Sequence, residues 1–157
     1  MPPTLPPPGK AVTVRKVFSR ETSVSTHVGA TPDTVWALLT DAADMTRWNS
    51  TLVSFNGDLQ PGGRIELVST LAPKRTFKLK VKELDAPRRL VWGDAMGTRV
   101  YTLEPAAGGT HFTMREKIGG PVFPLFARMI PPFDEAFEQF AADLKREAER
   151  QSASAAG

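Results

Sequence analysis

RVYTLEPAAGGTHFTMREKI, residues 99–118, decides how the rest of the chain is read. Two alternating runs, Arg99 to Leu103 and Phe112 to Ile118, flank a Pro105 to Gly109 loop, the pattern of an antiparallel hairpin. Phe112, Met114 and Ile118 share one parity and are apolar, so they face the core, and Glu116 shares that parity. An inward carboxylate needs a partner. Pairing Leu103 with Phe112 sets Tyr101 opposite Met114 and Arg99 opposite Glu116. If the preceding strand pairs Leu90 with Leu103 and Trp92 with Tyr101, Asp94 falls opposite Arg99. Three neighbouring strands are thereby expected to present Asp94, Arg99 and Glu116 in one row.

Outward from this hairpin the same alternation continues. Phe77, Leu79 and Val81 face one way and Lys78, Lys80 and Lys82 the other, which predicts a sheet with one dry and one wet face. Turn signals separate the strands: Gly62-Gly63 before Ile65 and Leu67, and Asp85-Ala86-Pro87 before Leu90-Val91-Trp92. Towards the N-terminus, Val12 to Val28 reads as one extended strand with Phe18, Arg20, Thr22, Val24, Thr26 and Val28 on one face. Thr31-Pro32-Asp33 then opens a helix, with a hydroxyl N-cap, proline where its missing N–H costs little, and an acid near the positive helix end. Val35, Trp36, Leu38 and Leu39 supply its buried stripe, and Asp41 can cap a second short helix through Met45 to Trp48. Beyond Gly119-Gly120-Pro121, a proline-broken segment from Val122 to Ile130 leads into a long helix beginning near Pro132. Phe133, Phe137, Phe140 and Leu144 form its apolar stripe. The expected class is α+β, an antiparallel sheet of about six to seven strands wrapped around the last helix.

The chain has 157 residues, of which 41% are hydrophobic, enough for one globular core. Five prolines in the first ten residues predict a disordered arm over 1–11, a single domain over 12–151 and a disordered tail over 152–157. No apolar run is long enough to span a bilayer, and MPPTLPPPGK has no signal-peptide core, so the expected compartment is the cytoplasm. The absence of cysteine excludes disulfides and thiolate chemistry. His27 and His111 both fall on polar strand faces, so no metal site and no cofactor are expected. The net charge of +3 arises from 20 basic and 17 acidic residues and implies no polyanionic partner. The basic stripe of Lys78, Lys80 and Lys82, with Lys74, Arg75, Arg88 and Arg89, could meet anionic lipid or nucleic acid, but lysine at alternate positions is what a solvent-facing strand shows, and without interleaved aromatics nucleic acid is not expected. No GxSxG, GxGxxG or phosphate-loop pattern occurs, so hydrolase and nucleotide-dependent chemistry lack support.

With this order established, residues 12–150 resemble the START, polyketide-cyclase and pollen-allergen superfamily, often called SRPBCC, in its polyketide cyclase/dehydrase-like bacterial branch. The matching pieces are Ala30-Thr31-Pro32 with Val35 to Asp41, Trp48-Asn49, Pro61-Gly62-Gly63-Arg64, and Val81 to Asp85 with Pro87 to Trp92. Leu103-Glu104-Pro105 and Gly108-Gly109-Thr110 leading to Arg115-Glu116 complete them. The resemblance implies a helix-grip fold enclosing a cavity for a small apolar molecule. It does not imply one activity, since such proteins carry lipids, bind hormones, cyclise or dehydrate polyketides, or activate a chaperone.

Three functions therefore stand as expectations: binding or transport of an apolar ligand, cofactor-free polyketide cyclisation or dehydration, and protein interaction through an exterior surface. Arg99, Glu116 and the Tyr101 hydroxyl are either the polar end of an apolar pocket or a structural ion pair with its neighbour. In an enzyme, Glu116 or Asp94 would transfer the proton and Arg99 would stabilise a developing enolate. Trp92, Phe77, Leu79, Met114, Phe133 and Phe137 are the candidate walls, and Trp48, beside a loop, the candidate rim. Trp36 and Trp92 also sit at core periodicity, where aromatics pack against one another. Met45, Met96, Met114 and Met129 could line a cavity or fill a core. Phe123, Phe126, Met129 and Ile130 could form a lid, a lipid-touching surface or a packed connector. Transient membrane contact, no stable insertion, and a monomer by default complete the expectations.

Overall fold

The computed structural model describes residues 7–156, and the first six residues of the expected arm lie outside them. In chain order the elements are β1 Val12–Arg15, β2 Ser19–Val28, α1 Pro32–Thr40, α2 Met45–Trp48, β3 Leu52–Gly57, β4 Arg64–Ser69 and β5 Phe77–Asp85. There follow β6 Arg89–Gly93, β7 Gly97–Ala106, β8 Gly109–Gly119, α3 Phe123–Phe126 and α4 Asp134–Ala156. Eight strands form one antiparallel sheet in the order β1-β2-β8-β7-β6-β5-β4-β3, more than the six to seven expected. The additional strand comes from the N-terminal run, which is a hairpin and not one strand: Lys16 N–H bonds the Ser19 carbonyl at 2.8 Å and Val12 pairs with Ser23. Lys16-Val17-Phe18 carries no glycine, proline or asparagine to mark that turn. Phe18, placed on the core face by parity, is exposed at the turn instead, whereas Arg20, Thr22, Val24, Thr26 and Val28 are buried as their alternation requires.

Helix α1 starts as its sequence dictates, with the Thr31 hydroxyl accepting the Thr34 N–H and proline in the first turn. Asp41 precedes a short 3-10 turn over Ala42–Asp44, without a side-chain cap bond, and α2 follows directly. The last helix opens at Asp134, two residues beyond Pro132, because the Phe133 carbonyl takes the Phe137 N–H at 2.8 Å. It continues through Ala156, so residues 152–156 are helical where a disordered tail is expected from the sequence. Over α4, Phe140 stacks on Phe112 at 6.2 Å and meets Tyr101 at 5.7 Å, and Leu144 and Ala148 are fully buried beneath it. Dispersion and apolar burial thus close the helix on the β2, β7 and β8 side of the sheet.

Polar contacts anchor the same stretch of α4. The Asp143 carboxylate, wholly inaccessible, accepts the Ser50 N–H and hydroxyl at 2.8 and 2.7 Å, the Gln139 amide and Arg146. Glu147 receives Arg47, Arg150 and Gln151, and Glu149 takes the Gly29 N–H at 2.8 Å. These bonds hold the Glu147 carboxyl well below the usual carboxylate range, first through Arg150 and then Arg47. Burial opposes the Asp143 charge, but the donors from Ser50, Gln139 and Arg146 outweigh it and lower its pKa.

Candidate functional site

Where α4 meets β4, β5 and β6, helix and sheet stand apart and leave a cavity of about 320 Å³. Its walls come from the inward-facing alternate residues of neighbouring strands: Leu67 of β4, Phe77 and Leu79 of β5, Trp92 of β6, Met114 and Ile118 of β8. Phe133, Ala136, Phe137 and Phe140 close it from the helix side. Gly93 lies where β6 approaches β7, and Gly97 where β7 approaches β8, too closely for a side chain. A Cβ on Gly97 would come within 2.7 Å of Ile118 Cγ2, and one on Gly93 would land on the Gly97 carbonyl.

One charged pair stands within these walls. Arg99 Nε donates to Glu116 Oε1 at 3.0 Å, the two side chains retaining 22% and 17% exposure, and the guanidinium lies 5.1 Å from the centre of the Phe137 ring. Arg99 Nη1 reaches the Tyr101 hydroxyl oxygen at 3.5 Å, at the limit of a hydrogen bond. Burial works against the Arg99 cation, but the Glu116 carboxylate and the Tyr101 oxygen outweigh it, so its pKa rises above the ordinary value. The Tyr101 phenol is pushed up chiefly by burial, against the pull of Arg99. Tyr101 therefore stays neutral at physiological pH, and Arg99 stays charged.

The β7–β8 register is the one deduced from the hairpin: Leu103 faces Phe112, Tyr101 faces Met114 and Arg99 faces Glu116. The β6–β7 register differs by two residues, with Leu90 opposite Tyr101 and Trp92 opposite Arg99. The row of three charges is therefore corrected to a pair. Asp94 sits in a tight turn, its Oδ1 accepting the Met96 and Gly97 N–H groups at 2.8 and 2.9 Å, a local alternative to facing Arg99. A slip of two preserves parity, so every inward residue stayed inward while its partner changed.

Of the candidate residues, Arg99, Glu116, Trp92, Phe77, Leu79, Met114, Phe133 and Phe137 line the cavity, and Asp94 borders it at the turn. Tyr101 and Trp48 do not. The Tyr101 ring is packed behind the wall against Trp92 at 5.1 Å, and Trp48 is buried edge-on to Phe140 at 5.6 Å instead of forming a rim. Lys78, Lys80 and Lys82 face solvent on the outer side of the sheet.

Two arginines that the sequence reading placed on a strand face and in a basic stripe, but not at the site, stand at or beside the cavity. Arg75 lies over Phe77 at 4.6 Å and borders the cavity mouth. Arg20 is buried, stands 5.2 Å from the Phe133 ring centre, and donates to the carbonyls of Ile130 and Pro131 at 3.3 and 3.1 Å. It thereby fastens the segment before α4, whose Met129, Ile130, Pro131 and Phe133 line the cavity. The signal for Arg20 was available, since it shares the inward parity of Thr22 and Val24.

Among the described residues no group of histidine and acidic side chains has metal-binding geometry, and no helix is long and apolar enough to cross a membrane.

The fold has many solved counterparts. A protein from Nitrosomonas europaea superposes with a TM-score of 0.69 at 18% identity, covering 89% of this chain and 99% of that one. A conserved protein of unknown function from Enterococcus faecalis gives 0.66 at 16% identity over 90% and 78% of the respective chains. A Rhodobacter sphaeroides protein gives 0.63 at 21% identity over 92% and 99%. At these identities the likeness is one of fold. No curated protein matches the chain. A model of the family described as "Polyketide cyclase / dehydrase and lipid transport" matches residues 19–149, nearly the whole span from β2 to the last turns of α4, and the chain belongs to that family.

Proposed function

We propose that this protein binds a small, mostly apolar ligand in the cavity between α4 and the sheet, with Arg99 and Glu116 orienting one polar group on it. The observation that carries this reading is a cavity of about 320 Å³ with mostly apolar or aromatic walls, in which Arg99 and Glu116 are paired with each other while Arg75 and Asp94 stand at the mouth and Thr51 and Ser69 add hydroxyls. Such a combination suits burial for affinity and a few placed polar atoms for orientation. The volume is near the lower end of small-molecule sites, roughly 300–1,000 Å³, which favours a single acyl chain or a compact ring system over a two-chain lipid. Arg99 retains donors beyond the one given to Glu116, enough for a ligand carbonyl or carboxylate, while Glu116 retains acceptor capacity for a hydroxyl.

The test is native mass spectrometry of freshly purified protein, followed by titration with 1-anilinonaphthalene-8-sulfonate and displacement by lauric acid. A stoichiometric adduct, or saturable one-site binding that Leu79→Trp abolishes by filling the cavity, is expected. Absence of both an adduct and saturable binding overturns the reading.

A second reading draws on the position of Glu116 within the cavity, hydrogen-bonded to a cation that could stabilise an enolate. As a cofactor-free cyclase or dehydratase the protein would use Glu116 for proton transfer. Glu116→Gln should then abolish turnover of a reactive polyketone with the fold intact, and unchanged turnover would remove this reading.

A further inference from the structure

The mouth of the cavity opens at one end of the sheet, and four connections meet there. The β1–β2 turn holds Val17 and Phe18, the β4–β5 loop holds Leu71, the β6–β7 turn holds Met96, and the segment around α3 holds Val122, Leu125 and Met129. Hydrogen bonds tie three of these connections together at the end of β8: Gly119 N–H bonds the Met96 carbonyl at 2.9 Å and Gly120 N–H bonds the Phe18 carbonyl at 3.0 Å. The fourth joins them at the opening itself, because Leu71, Ala72 and Arg75 border the cavity together with Met96 and Met129.

Seven of the ten large hydrophobic side chains that are exposed among the described residues belong to these connections. Leu125 is 83% exposed, Met129 81% and Phe18 58%, with no covering element. Scattered exposed apolar residues need no explanation, but a concentration around one opening does. Charge is concentrated there too. The same connections, with the last residue of β1, carry Arg15, Lys16, Lys74, Arg75 and Arg128 against Asp94 alone, and none of the five cations has an ion-pair partner among the described residues. The Asp94 carboxylate is committed to its own turn.

We infer that this end of the molecule docks on an anionic lipid surface, with Leu125, Met129 and Phe18 inserted among the acyl chains near the headgroups and the five cations on the lipid phosphates. Apolar tips surrounded by unpaired arginine and lysine match the two attractions by which proteins adhere to an anionic interface. The docked orientation faces the cavity mouth towards the bilayer, so an apolar ligand would pass between membrane and cavity without crossing water. This role of the mouth rests on the cavity being the ligand site, whereas the docking itself does not.

Co-sedimentation with sucrose-loaded vesicles tests the docking directly. Vesicles of phosphatidylglycerol and phosphatidylcholine should carry the protein down at low salt, and pure phosphatidylcholine vesicles about tenfold less. Leu125→Asp with Met129→Asp, and separately Lys74→Glu with Arg128→Glu, should each reduce binding about tenfold or more, with unchanged circular dichroism because all four side chains are exposed. Lys78→Glu with Lys80→Glu, on the outer face, should leave binding within a factor of two or three.

The inference fails if anionic vesicles leave the protein in solution, if both mouth pairs bind like the parent, or if the outer-face pair abolishes binding. It also fails if sedimentation velocity without vesicles shows a dimer that the Leu125→Asp, Met129→Asp pair dissociates, for the face would then belong to a second copy. Retained docking by a protein that takes up no anilinonaphthalene probe would refute the cavity reading and leave the docking surface standing.

Discussion

The two ends of α4 present the same kind of apolar stripe to the same sheet, yet they do different things. From Phe140 to Ala148 the helix is pressed onto Phe112 and its neighbours, and Asp143, Glu147 and Glu149 are bonded to the loops beside it. From Phe133 to Phe137 the stripe looks across a cavity towards Leu79 and Trp92, and the one strong polar contact within is the Arg99–Glu116 pair. Periodicity makes a helix face apolar; whether that face meets atoms or empty volume depends on how far the backbone stands from the sheet. The packed end anchors the helix, and the open end is left to hold something else.

The sharpest way to break this contrast is to truncate one aromatic in the packed end. Phe112→Ala should cost about 3–5 kcal/mol in urea unfolding, since the void left beneath Phe140 cannot collapse. Leu79→Ala, whose side chain already borders the cavity, should cost only about 1 kcal/mol, because much of its contact surface is already missing. Equal costs would mean that the two ends are packed alike.

The anchoring of α4 can be broken through Asp143. Asp143→Ala strands the Ser50 N–H and Arg146 and should cost about 2–3 kcal/mol. Its pKa is lowered on folding, as is that of Glu147, so their contribution is complete above the ordinary carboxylate range, near pH 4. It is lost as pH falls from there through the depressed folded-state values. A plot of stability against pH should therefore drop more steeply below about pH 4 in the parent than in Asp143→Asn. Parallel acid limbs would contradict that assignment.

Arg20→Met probes the open end from its other side. Loss of the bonds to Ile130 and Pro131 should cost about 1 kcal/mol. It should also hasten proteolysis between residues 122 and 131, because that segment is otherwise held by few buried contacts. Cleavage at the parent's rate would show that Arg20 fastens nothing. The smallest effect is expected at the mouth, where Leu125→Asp should change stability by no more than about 0.5 kcal/mol. A larger loss would mean that Leu125 is covered in solution and that the mouth is not an open surface.

Much of this arrangement is legible in the sequence alone. Alternation identified the inward faces of β5, β7 and β8, and a single hairpin sufficed to place Arg99 against Glu116, because partners in an antiparallel ladder are fixed once one pair and the parity are known. The β1–β2 turn and the β6–β7 register were not legible, each for its own reason. Lys16-Val17-Phe18 bends without a turn-forming residue, and Asp94 tightens its hairpin with its own side chain, a choice that periodicity does not distinguish from a longer loop. Trp48 was misplaced as a rim residue because proximity to a loop in sequence says nothing of the aromatic ring above it, here Phe140.

The sequence by itself determined an α+β fold of this kind, the faces that turn inward, and a carboxylate and a guanidinium on neighbouring strands of the dry side. These follow from local rules: side-chain parity, helix capping and the penalty on an unpartnered buried charge. Only the tertiary structure decided that the interior is solid beneath Leu144 and hollow beneath Phe137, and that seven exposed apolar side chains from separate connections gather at one end of the sheet, three of them bordering the cavity. Both depend on the separation of elements far apart in the chain, a distance set by the packing of all their side chains together and encoded in no single stretch of sequence.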